Sequence, residues 1–453
     1  MTPNYKRLIQ NPKYVQGKKL LLEALQEAKM DITDVKEPCI DGYNELLESY
    51  HALRGFPLYY PYIGSGIGNG SLVELADGSI KYDLISGIGA CYFGHSDPNI
   101  AMKAVDAAMT NCVMQGNLQQ NADSIELSAL LCKLSGLDHC FLTTSGAMAC
   151  ENSLKIAFQK RHPACRILAF ENGFSGRTCL LSEISDKPAN REGLPTVYNV
   201  DYIPFFDHRN PEKSIEHSVS VLKALIARYP NQHAVMCLEL VQGEGGFWTG
   251  SEAFFKSIIA VLKEHNIIVW VDEVQTFLRL DHCFAFQHYN LSPLVDIVTI
   301  GKALQACATL FTHEMLPRPG LLSQTFTAST AAIQVGTYIL EEAIKRHYFG
   351  HDGKIMHIHK LFVEAFTKLM EKFGPKVIQG PFGIGAMVAC TLFEGDLKKT
   401  KDFLQRLFAN GVIAFIAGKA PARVRFLPPI GALEPHEIEP IMQIFEKTLL
   451  ECL

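Results

Sequence analysis

Several things are scarce or missing in this chain. No stretch of it approaches the roughly 18–20 uncharged apolar residues needed to cross a bilayer, so no membrane span is expected. The opening "MTPNYKRLIQNPKYVQGKK" holds no apolar core of the kind a signal peptide requires, so none is expected. There is no excess of basic charge: the formal net charge is −5 and the pI is near 6.4. That balance argues against a polyanion partner, nucleic acid included. The 13 cysteines are scattered, with no CxxC pair, and several sit inside apolar runs such as "AVMCLEL" and "MVACTLF". Neither a disulfide framework nor a metal site is expected, and reduced thiols fit a cytoplasmic protein. No GxGxxG follows a strand and opens a helix, since "GSGIGNG" (64–70) precedes a hairpin instead. A nicotinamide-binding reading therefore fails.

What remains is an ordinary globular composition over 453 residues, 48% hydrophobic and 20% charged, long enough for two domains. Residues 18–29 and 41–54 have helical periodicity, the second with Tyr43, Leu46, Leu47, Tyr50 and Leu53 on one stripe. "SLVELADGSIKYDLI" (71–85) alternates and breaks at Asp77-Gly78, which predicts a hairpin. From there the character changes. Short apolar runs recur between helical stretches: "HCFLTT" (139–144), "CRILAF" (165–170), "AVMCLEL" (234–240), "IIVWVDEV" (267–274) and "DIVTIG" (296–301). Continuous apolar strands alternating with helices predict a mostly parallel sheet covered on both faces. From about residue 331 amphipathic helices and further strands predict a smaller α+β unit. The expected division is a large α/β domain over 86–330 and a smaller α+β domain formed jointly by an N-terminal segment over 1–85 and a C-terminal segment over 331–453.

Ligands of such sheets bind beyond the carboxyl ends of the strands. Each run ends there in polar or small residues: Ser145-Gly146-Ala147, Glu171-Asn172-Gly173, Gln242-Gly243-Glu244, Asp272-Glu273 and Gly301-Lys302. Taken singly, each has an ordinary structural explanation. Lys302 can open a surface helix, Gly146 can serve a tight turn, and Phe174 and "YYPY" (59–62) with Tyr92 can be packing or can line a site entrance. Asp272 can cap the next element, and Glu273 is expected to be solvated or salt-bridged. Taken together they fit one chemistry. A helix N-terminus with small residues suits a phosphate, and an aromatic between glycines suits a flat ring. Arg177 suits a carboxylate. An acid at a strand end suits a protonated ring nitrogen, and a half-buried lysine suits a Schiff base. Pyridoxal phosphate (PLP) requires that set. For Asp272 and Gln275 to reach one ligand, their strand must end near Glu273.

On these motifs the chain resembles the class III (omega-amino-acid) aminotransferases of the fold-type I PLP enzymes, over roughly residues 57–450. The resemblance rests on "YDLISGIGACYFGHSDP", "TSGAMACENS", "FENGFSGRT", "LELVQGEGGF", "VDEVQT", "DIVTIGKAL" and "VRFLPPI", in the family's order. It implies Lys302 as the Schiff-base lysine and proton shuttle, and Asp272 as partner of the pyridine nitrogen. It implies Gln275 at the ring hydroxyl, Ser145, Gly146 and Ala147 at the phosphate, and Phe174 stacked on the ring. Thr325 would reach the phosphate of a neighbouring subunit in a homodimer with shared sites. Arg177 and Arg425 would bind the carboxylates of glutamate or 2-oxoglutarate, and Glu244 would neutralise Arg425 when the donor lacks an α-carboxylate. The implied reaction is ping-pong transamination from a terminal-amine donor to a 2-oxo acid. The sequence departs from the family pattern at Ser175 (usually His), at Met148 and Cys150, at "LRLD" (278–281) and at "TFTAST" (325–330). Two rivals stay open: an aminomutase, racemase or decarboxylase on the same cofactor, and a non-catalytic descendant.

Overall fold

Residues 3–114 and 116–453 are described by the computed structural model. The apolar runs become the strands of one seven-stranded sheet: β1 (His139–Thr143), β2 (Arg166–Phe170), β3 (Asn199–Ile203), β4 (His233–Leu238), β5 (Ile268–Asp272), β6 (Ile297–Ile300) and β7 (Cys307–Phe311). Their order is β1-β7-β6-β5-β4-β2-β3. Neighbours from β6 through β3 run parallel. Only β7 opposes its neighbours, β6 and β1. Every residue of β4 through β7 is buried, as expected for strands covered on both faces. One cover is the helix Gly146–Arg161, which packs on β4, β6 and β7. Leu154, Ile156 and Ala157 share a core with Ile167, Val235, Trp270 and Ile297.

Two strands escape the sequence pattern. β3, "NVDYI", is an edge strand with one buried residue, so its composition stays polar. β7, "CATLF", follows β6 after only the short 3-10 turn Lys302–Leu304. An antiparallel neighbour needs no helical crossover, so the alternation of strand and helix does not announce it.

The chain divides into two compact units. One comprises Met1–Met109, His357–Pro381 and Val388–Leu453, the other Thr110–Met356 and Phe382–Met387. These units meet along the chain at 109, 356, 381 and 387. Composition does not reveal which unit a helix packs on. Pro98–Ala108 stays with the N-terminal helices, where Asp106 pairs with Lys18 at 2.6 Å. Thr330–Lys345 lies on the helix Ala122–Ser135 of the sheet unit, with Gln334 bonded to Asp123 at 3.2 Å.

In the first unit the expected hairpin forms from Leu72–Leu75 and Ile80–Asp83, turning at Gly78 with φ +76°. Asp77 Oδ1 accepts from the Ser79 amide at 2.9 Å, an Asx turn. Val412–Ile413 joins this sheet beside Tyr82–Asp83, so the two ends of the chain fold together. Tyr60 and Tyr92 are buried packing residues here; Tyr60 stacks on Phe408 at 4.6 Å and donates to the Ala414 carbonyl. The stripe on Tyr43–Arg54 buries only Leu47, and Leu53 stands 85% exposed. Among the described residues no helix is long and apolar enough to cross a membrane.

Candidate active site

Strand β5 carries its apolar run up to Asp272 and stops because the next residues bond differently. The Glu273 amide still donates to the Thr299 carbonyl at 2.9 Å, but the Val274 amide turns back to Asp272 Oδ1 at 3.0 Å. The strand therefore ends where the sequence argument requires, and Asp272 and Gln275 face one cavity of about 230 Å³. Thr299, the partner of Asp272 on β6, lies 3.3 Å from Oδ1, and the Cys150 thiol lies 3.5 Å from Oδ2. Burial pushes the Asp272 carboxyl above its ordinary range, against the pull of the Val274 N–H and the charge of Lys302. A cation arriving beside Asp272 would be strongly favoured.

Glu273 turns the other way. It is fully buried, neither solvated nor salt-bridged as expected, and accepts from the amides of Ala285 and Phe286, each at 2.8 Å, and from Thr276 Oγ1 at 3.1 Å. Burial lifts its carboxyl to about 7. It closes residues 273–286 into a loop behind the strand end.

Lys302 follows β6 directly and lines the cavity instead of opening a surface helix. Its φ is +45°, a conformation that costs a residue with a side chain about 1–3 kcal/mol and clusters at functional sites. Gly301 before it leaves no room for a Cβ, which would lie 2.9 Å from Cys307 Sγ. Ser145 caps the helix Gly146–Arg161 by accepting from the Met148 amide at 3.2 Å. Gly146 and Ala147, whose first-turn amides have no helical acceptor, line the cavity. A Cβ on Gly146 would strike Val274 at 2.7 Å. The N-terminus of this helix thus presents amide donors and the positive end of its dipole to the cavity.

Phe174 lines the cavity from the loop after β2. Its amide donates to Glu239 Oε2 at 3.0 Å, and the Gly243 amide donates to Oε1 at 2.8 Å. Glu239 thereby ties the loop after β2 to the loop after β4. Motif order does not single out Glu239, although it follows a buried strand in "LEL" as the acids of "WVDEV" do. Gly243 lies close against Gln275: a Cβ there would come within 2.1 Å of Gln275 Oε1 and displace that amide. Ser175, where the family usually has His, contacts Cys237 Sγ at 3.2 Å.

The cavity wall thus collects Gly146, Ala147, Phe174, Asp272, Gln275 and Lys302. Ser145, Arg177, Glu244 and Thr325, in the same unit, are not part of it. Arg177 is exposed, its guanidinium 6.0 Å from the Phe174 ring. Glu244 pairs with Lys187 at 3.3 Å, and Lys187 sits 5.7 Å over the same ring. Thr325 is exposed. Arg425 belongs to the other unit, fully buried on the strand Arg423–Phe426 with its guanidinium 5.5 Å from the Phe415 ring.

Residues 65–449 match the family model for the class-III aminotransferases. The chain is a class-III aminotransferase. Acetylornithine aminotransferase of Methanocaldococcus jannaschii is 27% identical over 401 residues, 85% of this chain and 92% of that protein. Acetylornithine aminotransferase of Clostridium acetobutylicum is 28% identical over 404 residues, 84% of this chain and 95% of that protein. Among solved structures, lysine aminotransferase from M. tuberculosis superposes with a TM-score of 0.79 at 22% identity, covering 90% of this chain and all of that one. Ornithine aminotransferase from Toxoplasma gondii superposes with a TM-score of 0.76 at 20% identity, covering 91% and 97%. These likenesses share the fold-type I architecture, and the class-III aminotransferases are PLP-dependent enzymes.

The buried Glu239 of this aminotransferase makes a prediction about stability. Burial raises its carboxyl from the ordinary 4.5 to about 8. A group whose folded value exceeds its unfolded one contributes stability that is complete below the unfolded value and is lost as pH rises through the folded one. Cofactor-free protein should therefore lose thermal stability as pH rises from 4.5 to about 8, and Glu273 adds in the same direction. Glu239→Gln should flatten that slope in a fluorimetric melting series. An unchanged slope would mean that Glu239 titrates as an ordinary surface carboxylate.

Proposed function

We propose that this aminotransferase moves the amino group of a terminal-amine donor, of the acetylornithine, ornithine or lysine type, to a 2-oxo acid such as 2-oxoglutarate. The observation that carries the reading is the juxtaposition of Lys302 and Asp272. They stand at the ends of neighbouring strands and share one cavity with a helix N-terminus and Phe174. The donor class is supported by the names of relatives aligned over more than nine-tenths of their own length.

The residues present fit PLP. Asp272 is a buried carboxylate in want of a cation, Gly146 and Ala147 supply amides to an anion where a larger residue would clash, and Phe174 is a ring at the same wall. When bound, the cofactor supplies an electron-withdrawing ring that stabilises charge at the carbon bearing the amine. Lys302 Nζ would hold the cofactor and would serve as the proton acceptor and donor at the cavity. Asp272 would favour a protonated ring nitrogen, and Gln275 would be the partner of the ring hydroxyl. Ser145 fixes the helix end whose amides, with Thr325 of a neighbouring subunit, bind phosphate. Arg177 and Arg425 bind the carboxylates of glutamate or 2-oxoglutarate. Glu244 serves Arg425 with other donors, a role that requires it to release Lys187. One pocket serving both substrates implies ping-pong kinetics.

A homodimer in the cytoplasm belongs to the same proposal.

The test is the visible absorption of the purified protein with PLP, before and after single amines. One amine should remove the band of the bound cofactor, and 2-oxoglutarate should restore it. No band after added PLP would overturn the reading in favour of a non-catalytic protein.

A further inference from the structure

The segment "LRLDHCFAFQH" (278–288), which opens on the departure "LRLD", places three ligand-type side chains together outside the cavity. Asp281 Oδ1 lies 2.6 Å from His288 Nδ1 and 3.2 Å from His282 Nδ1. The ligand atoms of the three all fall within 4.8 Å of one another. None of them lines the cavity, and the proposed reaction uses none of them. The Asp281 side chain is only 5% exposed, whereas that of His282 is 51% exposed. So a buried carboxylate faces two imidazoles, with one side of the group open to solvent.

We propose that Asp281, His282 and His288 form a binding site for a divalent cation of the zinc class. Two imidazole nitrogens and one carboxylate oxygen, with a fourth position left to water, are a ligand set that zinc accepts. Bond lengths of about 2.0–2.1 Å put neighbouring ligands of a tetrahedral ion about 3.3 Å apart. The Asp281–His282 separation already has that value. The Asp281–His288 pair is a hydrogen bond and opens by about 0.7 Å to reach it. The proton shared in that bond leaves as the ion enters, because a ligating imidazole nitrogen carries none. Asp281 is anchored by its backbone, its carbonyl accepting from the Gly350 amide at 2.7 Å. The ion would tie this turn to the helix Ala285–His288, whose first amides bond Glu273, the residue after Asp272. It would act as a clip on the loop behind the strand end. It would touch no reacting atom. The expectation of no metal rested on the lack of a cysteine motif, and this group contains no cysteine.

The experiment is a calorimetric titration of the chelator-treated holoenzyme with Zn²⁺, run on the natural protein and on His282→Ala. His282 is exposed, and its removal leaves the Asp281–His288 bond intact, so the variant should fold. Zinc taken up by thiols is common to both proteins and cancels. Losing even an outer partner of a metal site weakens binding about 10–100-fold, so losing a ligand should remove one equivalent from the titration at micromolar zinc. His288→Ala should remove the same equivalent. Zinc should also raise the melting temperature of the natural protein more than that of either variant. Equal stoichiometry and equal melting shifts in all three would overturn the proposal, leaving Asp281 as a hydrogen-bond acceptor for two imidazoles. Transaminase activity is expected to persist in His282→Ala, so failure of this site would leave the reaction assignment untouched.

Discussion

Replacing Lys302 by alanine should lower turnover by at least about 10⁴-fold, the upper end of what a positioned acid–base group contributes, with loss of the covalent link to the cofactor added to it. The variant should melt close to the natural protein. Alanine takes the same strained φ of +45° and removes only a half-buried side chain. Cofactor should still bind, since Asp272, Phe174 and the amides of Gly146 and Ala147 remain. Its visible band should shift and should no longer cycle with amine and oxo acid. Lys302→Arg sharpens the test, because it keeps a positive charge but offers no nucleophilic amine. Its turnover should be as low as that of alanine. Near-normal kcat in either variant would sink the assignment of Lys302.

Asp272→Asn should separate catalysis from stability. Asparagine keeps an oxygen for the Val274 amide and for Thr299, so the strand end keeps its shape. It gives up the charge that would hold a ring nitrogen protonated. Removing one preorganised electrostatic group costs about 10²–10³-fold in kcat, and that loss is expected here, with weaker retention of PLP. The cofactor-free variant should melt no lower than the natural protein. Burial already disfavours the Asp272 carboxylate, and a neutral amide avoids that desolvation. A variant with natural turnover would remove Asp272 from the chemistry. A variant that lost stability and activity together would make Asp272 a structural acceptor instead.

Asp272 and Lys302 are legible in the sequence because each stands where an apolar run stops on a charge. Such an arrangement is costly without a partner. Glu239 has the same signature but is less legible. Leu240 and Val241 follow it, so the run reads as continuing and the acid as an interior accident. Only the fold shows that the strand has ended at Leu238 and that two loop amides converge on the carboxylate. Glu273 misleads in the opposite direction. A glutamate next to a site residue looks solvated, yet it is buried because a loop returns over it with two amides to satisfy.

The stripe on Tyr43–Arg54 and the aromatics near residue 60 teach a related lesson. Periodicity says that a face is apolar. It does not say what covers it: Tyr60 goes into its own core, while Leu53 stays open in the single chain. The same limit applies to Arg177, Glu244, Thr325 and Arg425. Motif order assigns them roles, but none of the four is among the residues of the cavity wall, and Glu244 is paired with Lys187.

By itself the sequence determined the class of sheet, the place of a cavity beyond its strand ends, and the lysine and aspartate that line it. These follow from rules that act along the chain: a strand buried on both faces must be continuously apolar, and a charge at its end needs a partner. Tertiary structure alone decided the strand order, the edge and antiparallel strands β3 and β7, the unit to which each helix belongs, the clamping glutamates, and the meeting of Asp281, His282 and His288. Those depend on contacts between segments far apart in the chain, or on how a turn closes, and no local periodicity records them.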